Sequence, residues 1–567
     1  MNGKSIGNLV NWLATGRAVD TSTLKPPPPP PPPPPADGRC IINELPTELL
    51  SYIFDLGQLH SDDTENKPFG VLASHVCRLW REVAINQPTL WNVIPLVIPG
   101  ILKEIENSKV ILATYLERAR EAPLDIAIDL DTFLDDLENE VEEDEDITSR
   151  PELQQLHEII SMIVPRHKQL RSFEVSVSDF LLMAAALKFL ESIPEAPLLE
   201  SFSLYNHDDF DDLRFFEPVR FAGLRVLPFH GNAPRLKNVA LWGVHLDWEQ
   251  CSQTLFKDLE ELELAYHPED VRPTYKQYAR ILAQSPNLRS FELCHSGPAG
   301  GMVEWSENVR EGSSPGDPPV SIPRITLHSL TDLVLSYEDQ EVYLKDLLDY
   351  LDAPNVTELT LDLSAEDDTE IFRKLSTAPP KGKSLLQGLT VFKLTECSCS
   401  TEVVRSALRS LENVTQLNLN FNYLDTAWLH ILSGRADGEN VQNPQLPCPK
   451  LETIMLRGID GEDILDFAQR RTTAGLPLKK ILIDETDRPD LETEIALKHI
   501  TEVEYFEGSD TEEDESDVTD DEDEFYIGLE DDLDEGADIS DLEEDDGNAE
   551  WTDDDDDDSE EDLHFLD

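Results

Sequence analysis

Residues able to do chemistry are thinly scattered through the sequence, and their spacing fits no reactive centre. His157-Glu158 opens the helical motif in which two histidines hold zinc, but Ser161 stands where the second histidine would have to be. Cys397 and Cys399 are a close thiol pair with no further cysteine or histidine at ligand spacing, and they read as ordinary repeat-strand thiols. The stretch GPAGG at 297–301 lacks the Gly-Lys-Ser/Thr ending that makes a glycine-rich loop a phosphate cradle. Carboxylates are abundant, but they lie in runs and read as solvated faces, not as acid–base pairs. The expectation is a non-enzyme with no cofactor and no metal.

Charge excludes more than it suggests. Against 45 Lys and Arg stand 116 Asp and Glu, a formal net charge of −71 over 567 residues. Residues 507–567 alone hold 34 acidic residues and no Lys or Arg, and the rest of the chain is acidic too. Such a field repels phosphate backbones and anionic membranes and attracts basic proteins, so neither nucleic acid nor membrane is expected as a partner. The tail cannot bury apolar surface and is expected to be disordered. In it Ser509, Thr511, Thr519, Ser540, Thr552 and Ser559 each precede an acidic residue by three positions, the pattern an acid-directed kinase phosphorylates. The tail could capture a basic, histone-like partner, compete with a basic substrate, or simply confer solubility.

Seven cysteines, an odd number, are spread over the chain. The N-terminus lacks a signal-peptide core, and no window approaches the roughly 18 apolar residues of a membrane helix. A soluble protein with reduced thiols, cytoplasmic and/or nuclear, is expected.

The elements that would position any site follow from periodicity. Pro26 to Pro35 form an uninterrupted run, a stiff polyproline II rod that serves as a spacer or as a ligand for a proline-reading module. INELPTELLSYIF (42–54) predicts a helix with Pro46 in its first turn and Leu45, Leu49 and Ile53 on one face. After the polar loop HSDDTENKP, Val76, Leu79, Trp80 and Val83 predict a second amphipathic helix that Pro88 ends. Lys109–Arg120 predicts another, with Ile111, Leu112, Tyr115, Leu116 and Ala119 on one face. PLDIAIDL alternates as a strand, and an acidic loop follows it.

From about residue 170 the pattern apolar-x-x-apolar-x-apolar recurs twelve times. The instances are LRSFEV (170), LESFSL (199), LKNVAL (236), LEELEL (259), LRSFEL (288), LTDLVL (330), VTELTL (356), LTVFKL (389), VTQLNL (414), LETIML (451), LKKILI (478) and ITEVEY (500). Their last residues are 22 to 42 apart, and helix-like stretches such as TYKQYARILAQ lie between them. Five instances carry a proline two residues ahead, which would stop a helix and deliver extended chain into a strand. One strand and one helix per repeat make a leucine-rich-repeat solenoid, here without a conserved asparagine position. Trp242, Trp248 and Trp428 follow repeat strands, where they either pack between repeats or line the concave face.

Leu45-Pro46, Glu48-Leu49, Ile53-Phe54, Val76-Cys77, Trp80-Arg81 and Leu90-Trp91 together resemble the F-box, especially that of the F-box-like proteins abundant in basidiomycete fungi. The family's usual order, F-box first and repeats after, fits as well. The resemblance implies a helical bundle that docks the Skp adaptor, and through it a cullin, of a Skp–cullin–F-box ubiquitin ligase. On matching positions Leu45, Pro46, Leu49 and Ile53 would face the adaptor, helped by Val76 and Trp80. The repeats would capture an unknown protein to be ubiquitinated. The long loop at 60–68 departs from the family, and a cap on the solenoid's end is the competing use of these helices.

The expected fold is therefore α/β, a small helical F-box bundle followed by an irregular leucine-rich-repeat solenoid, with disordered termini. Its domains are 1–40, disordered and polyproline; 41–95, F-box; 96–121, linker helix; 122–506, substrate-binding solenoid with an acidic loop near 131–150; and 507–567, disordered acidic tail. The competing function is an acidic protein-binding scaffold or histone-type chaperone.

Overall fold

The protein's structure, a computed structural model, describes residues 41–59, 68–98, 100–131, 151–207, 213–310, 322–337, 340–363, 367–378, 382–395, 397–420, 427–434 and 446–506. The proline run, residues 132–150 of the acidic loop, the loop 60–67 and the tail with its six candidate phosphosites lie outside the described residues. The chain divides into Met1–Thr511 and Glu512–Asp567, and everything below concerns the first unit.

Alternation of apolar and polar residues builds one mixed α/β architecture around a parallel sheet of 14 strands. The strands are β1 (Val93–Val97), β2 (Leu124–Leu130), β3 (Leu170–Val177), β4 (Ser201–Asn206), β5 (Asn238–Trp242), β6 (Glu261–Ala265), β7 (Ser290–Cys294), β9 (Asp332–Tyr337), β11 (Glu358–Leu363), β12 (Val391–Thr395), β13 (Gln416–Asn420), β14 (Thr453–Arg457), β15 (Lys480–Asp484) and β16 (Glu502–Phe506). Two-residue strands β8 (Ile325–Thr326) and β10 (Leu351–Asp352) pair only with each other. All twelve apolar repeats and the PLDIAIDL segment are strands of the sheet.

Each strand pairs in parallel with the next in chain order, so one repeat position becomes a row across the sheet. Leu361, Leu394, Leu419, Leu456 and Ile483 are register partners in such a row, and all are buried. Helices pack against this face; Trp428, for example, lies 5.4 Å from Phe372 and 6.5 Å from Phe392 between ring centroids. The opposite face carries two separate small clusters made of strand and strand-end residues, Trp242 with Ala265 and Cys294, and Met455 with Leu482 and Phe506.

The five repeat prolines act differently from the expectation. Leu199, Leu236, Leu288, Val356 and Leu451 each donate a backbone N–H to the carbonyl three residues earlier, at 3.1–3.5 Å. Pro197, Pro234, Pro286, Pro354 and Pro449 thus occupy the second position of a tight turn, where a φ fixed near −65° is already correct. A threonine ladder follows in the middle of the sheet. The hydroxyls of Thr331, Thr357, Thr390 and Thr415 donate to the carbonyls of Arg289, Thr331, Thr357 and Thr390 at 3.1–3.4 Å, adding a side-chain bond to each strand entry.

Three further differences appear near the N-terminus. The expected second helix is two, α2 (Phe69–Val76) and α3 (Arg78–Asn86), after α1 (Thr47–Leu59). Cys77 between them is extended (φ −155°, ψ 174°), and its Sγ accepts from Trp80 N at 3.5 Å as an N-cap, so Val76 does not continue the face of Leu79 and Val83. The segment read as a linker helix holds α4 (Leu102–Ala119), which begins earlier than its apolar spacing suggested and turns Ile111 to solvent. Ahead of it, β1 already belongs to the sheet, so α4 is the β1–β2 crossover.

Replacing Leu361 by Ala should cost about 2–5 kcal/mol, because its row is fully packed. Glu261→Ala, at an exposed position on the other face of the sheet, should cost less in the same urea titration; equal costs would mean that the sheet does not alternate as described.

Candidate functional site

Helix α1 begins where Leu49 and Leu50 donate backbone N–H groups to the Pro46 carbonyl, both at 3.1 Å. Its inward residues are Leu50 and Phe54, both fully buried, with Gly57 one turn further. The Phe54 ring lies 6.0 Å from Phe69 and 5.0 Å from Trp80. A Cβ on Gly57 would sit 2.5 Å from the Phe69 ring, so glycine lets α2 approach. Asp55 accepts from Gln87 Nε2 at 3.0 and 3.1 Å and from Thr89 Oγ1 at 2.5 Å, which ties α1 to the turn after α3.

That packing leaves the other side of α1 in solvent. Leu49 (51% exposed), Tyr52, Ile53 (39%) and Leu56 fall at the i, i+3, i+4, i+7 spacing of one helical face. Leu72 and Val76 (60%) on α2 are exposed as well. Of the residues expected to face a partner, Leu49, Ile53 and Val76 are exposed apolar side chains and Pro46 is exposed; Leu45 is half-buried just ahead of α1, and Trp80 is half-buried with its ring against Phe54. Tyr52, Leu56 and Leu72 belong to the same exposed set and were missed, although the helical spacing from Leu49 marks the first two.

A second concentration of unusual groups lies on the helix-free face of the sheet. In its middle row Ala127, Glu174, Ser203, Ala240, Glu263, Glu292 and Val334 are successive register partners. Trp242 Nε1 donates to the Glu263 carboxylate. Around Trp242 stand Tyr205 (5.5 Å between centroids, 77°) and Tyr266 (5.7 Å, 56°). Glu174 and Glu263 are half-buried; Glu292 is buried, and its Oε1 accepts no hydrogen bond. Burial raises Glu263 to about 7, against the opposing Trp242 hydrogen bond. Burial, then the neighbouring Glu263 charge, lifts Glu292 well above the carboxylate range. Burial, then Asp129, raises Glu174.

The loops that hold these rings are built around buried polar groups. Arg272 donates to the carbonyls of His267 (2.8 Å) and His295 (2.9 Å), and His267 Nδ1 lies 2.9 Å from Ser296 Oγ. That His–Ser pair has the partners of an activated nucleophile, but both residues are completely buried and His267 Nε2 lies 3.0 Å from the Val244 carbonyl, so the pair fastens loops together. Of the three tryptophans considered for the concave surface, only Trp242 is on the helix-free face. Trp248 donates to Val271 O at 2.8 Å within the main core, and Trp428 packs there too. Cys397 and Cys399 approach to 3.3 Å between sulfurs, and among the described residues no group of three or more His, Cys, Asp or Glu is placed to hold a metal. No described helix is long and apolar enough to cross a membrane.

No known family model matches the chain, and no curated protein matches its sequence.

Two outcomes are expected. Phe54→Ala should destabilise by about 3–5 kcal/mol, whereas Ile53→Asp should stay within about 1 kcal/mol in the same thermal and urea melts. The raised Glu263 makes the folded state bind more protons than the unfolded one from the ordinary carboxylate range up to about 7. Stability should therefore fall as pH rises through that window, and Glu263→Gln should flatten the fall. Parallel pH–stability curves for the two proteins would refute the shift.

Proposed function

We propose that the chain is a non-catalytic substrate-recognition adaptor of a Skp–cullin–F-box ubiquitin ligase. The α1–α3 unit would be its F-box and would dock the Skp adaptor, and the sheet with its helices would form an irregular leucine-rich-repeat solenoid that captures the protein to be ubiquitinated. The observation that carries this reading is the face of Leu49, Tyr52, Ile53 and Leu56 with Leu72 and Val76, apolar and exposed on helices whose other side is fully packed. Six such side chains on one small helical unit are more than scattered surface residues explain, and an apolar groove in a partner is the usual complement of such a helix. Burying a side chain of this size contributes roughly 1.5–3 kcal/mol, so a few of them suffice for a specific complex.

The solenoid reading is supported by strands in chain order and by helices on one face only. It is also supported by the depth of the other face: Thr360, Lys393, Asn418 and Met455 are nearly inaccessible, and among the described residues the apolar clusters of that face contain no helix residue. A face that curves inward produces such burial. Function would then be positional: the chain holds a substrate beside a ubiquitin-loaded enzyme and raises its effective concentration.

The acidic scaffold or histone-type chaperone remains the second reading, favoured by the net charge of −71. Co-purification of the full chain with the Skp adaptor separates the two. Wild type and Val342→Asp, an exposed position on the distant helix Glu341–Tyr350, should retain the adaptor. The Leu49→Asp/Ile53→Asp double variant should lose it with an unchanged circular dichroism spectrum. Loss of basic-protein binding on deleting 507–567, with no adaptor retained by wild type, would instead support the scaffold.

A further inference from the structure

The charges on the helix-free face are treated differently in its two halves. Toward the C-terminal end every basic side chain of the face meets a carboxylate on the same face. Lys393 Nζ lies 2.7 Å from Glu358, Arg457 Nε 3.5 Å from Asp484, and Lys480 pairs with Glu504. Toward the N-terminal end the carboxylates of the middle row have no such partner: neither Glu174, Glu263 nor Glu292 has a basic group within ion-pair distance among the described residues. Glu263 and Glu292 are direct register partners on β6 and β7, and Glu292 keeps a fully buried oxygen without a donor. Unpaired buried carboxylates side by side are a standing cost to the fold.

Their spacing makes a trough. Glu174 on β3 and Glu263 on β6 are three strands apart, roughly 14 Å at the usual spacing of parallel strands. The residues between them in the row are Ser203 and Ala240, the smallest floor a sheet can offer short of glycine. Tyr205, one row over and half-buried, walls one side within electrostatic reach of all three carboxylates, with the buried Trp242 beside it. Carboxyl ends that an approaching cation would draw into the ionised form, a small-residue floor and an aromatic ring are complementary to a long cationic side chain, whose methylenes lie on the ring while its head meets one carboxylate.

We propose that this trough receives a lysine side chain of a basic partner segment, its ammonium meeting Glu263 and holding that carboxylate ionised, its stem above Ala240 and Ser203 and the Glu174 carboxylate at the trough's far end. The proposal rests on the reading of this face as the capture surface and assigns that surface a substrate class, proteins that present lysine in an extended basic stretch.

The probe is the peptide acetyl-Ala-Lys-Ala-Lys-Ala-Lys-Ala-amide, titrated calorimetrically into the full chain at low and physiological salt, with its norleucine counterpart as the neutral control. The acidic tail also attracts such a peptide, but Glu263→Gln changes one charge among the 116 acidic residues and leaves that background intact. The expected result is a salt-sensitive site for the lysine peptide alone, weakened about tenfold in Glu263→Gln, as for a lost charge-assisted hydrogen bond, and unchanged in Glu358→Gln. Equal affinity for wild type and Glu263→Gln, or no site above the tail's background, overturns the proposal. Should Glu263→Gln melt early, Glu174→Gln carries the same comparison from a half-buried position. Retention of the Skp adaptor, measured on the same variants, keeps the failure of this site distinct from failure of the adaptor reading.

Discussion

In-register pairing of each strand with the next in chain order governs the whole sheet. Every repeat position becomes a row, so a residue choice is never local: it is made beside its own counterparts about 4.8 Å away on both sides. Rows of Leu and Ile fuse into one continuous core. The same geometry punishes charge. A carboxylate placed on the helix-free face in two successive repeats faces its like, as Glu263 and Glu292 do, and burial then drives both toward the protonated form.

The first strand also fixes where the helical unit stands. Trp91 follows the short turn after α3, donates its indole N–H to Ala84 O at 2.8 Å, meets the Tyr115 ring of α4 at 5.3 Å and carries the Arg118 guanidinium 4.2 Å above it. Asn92 then bonds the Pro123 carbonyl, and Asp125 N donates to Asn92 O as β2 begins. Helices α1–α3 are thus fastened to the first two strands by a buried indole and a short polar splice. In an adaptor, whose purpose is to hold one protein at a set place relative to another, rigidity at this joint would set the effective concentration of the captured partner.

The sequence carried the strands and the exposed helix in different degrees. The apolar spacing located all twelve repeat strands because burial on one face imposes period two whatever the neighbours are. It missed β1, VIPLV, whose Pro95 reads against a strand, yet Pro95 stands on the edge strand, where a missing donor is tolerated. The Cys77 break was hidden because a side-chain cap from sulfur leaves no strong residue signature and the apolar spacing runs through it. Threonine at the second position of LTDLVL, VTELTL, LTVFKL and VTQLNL was in plain view, but a ladder is legible only once the strands are known to be adjacent. The trough was illegible for the same reason: Glu174, Ser203, Ala240 and Glu263 span 90 residues and meet only through register.

Backbone strain gathers at the same end of the same strands. Immediately after β6 and β7, Tyr266 (φ 52°) and His295 (φ 47°) adopt the left-handed conformation that non-glycine residues avoid at a cost of order 1–2 kcal/mol each. After β5 a glycine, Gly243 (φ 60°), takes the equivalent place. Each of the three donates its N–H to the last or next-to-last residue of the following strand, at 2.8–2.9 Å, so the turn is dictated by pairing with that strand. Glycine would satisfy that demand at all three positions without strain. Tyrosine and histidine instead place stacked rings 5.6 Å apart beside Trp242, and the Arg272 clamp on the His295 carbonyl holds the turn in place. Strained backbone, an aromatic wall and unpaired carboxylates therefore coincide over β5–β7, whereas the C-terminal strands of the same face pair their charges.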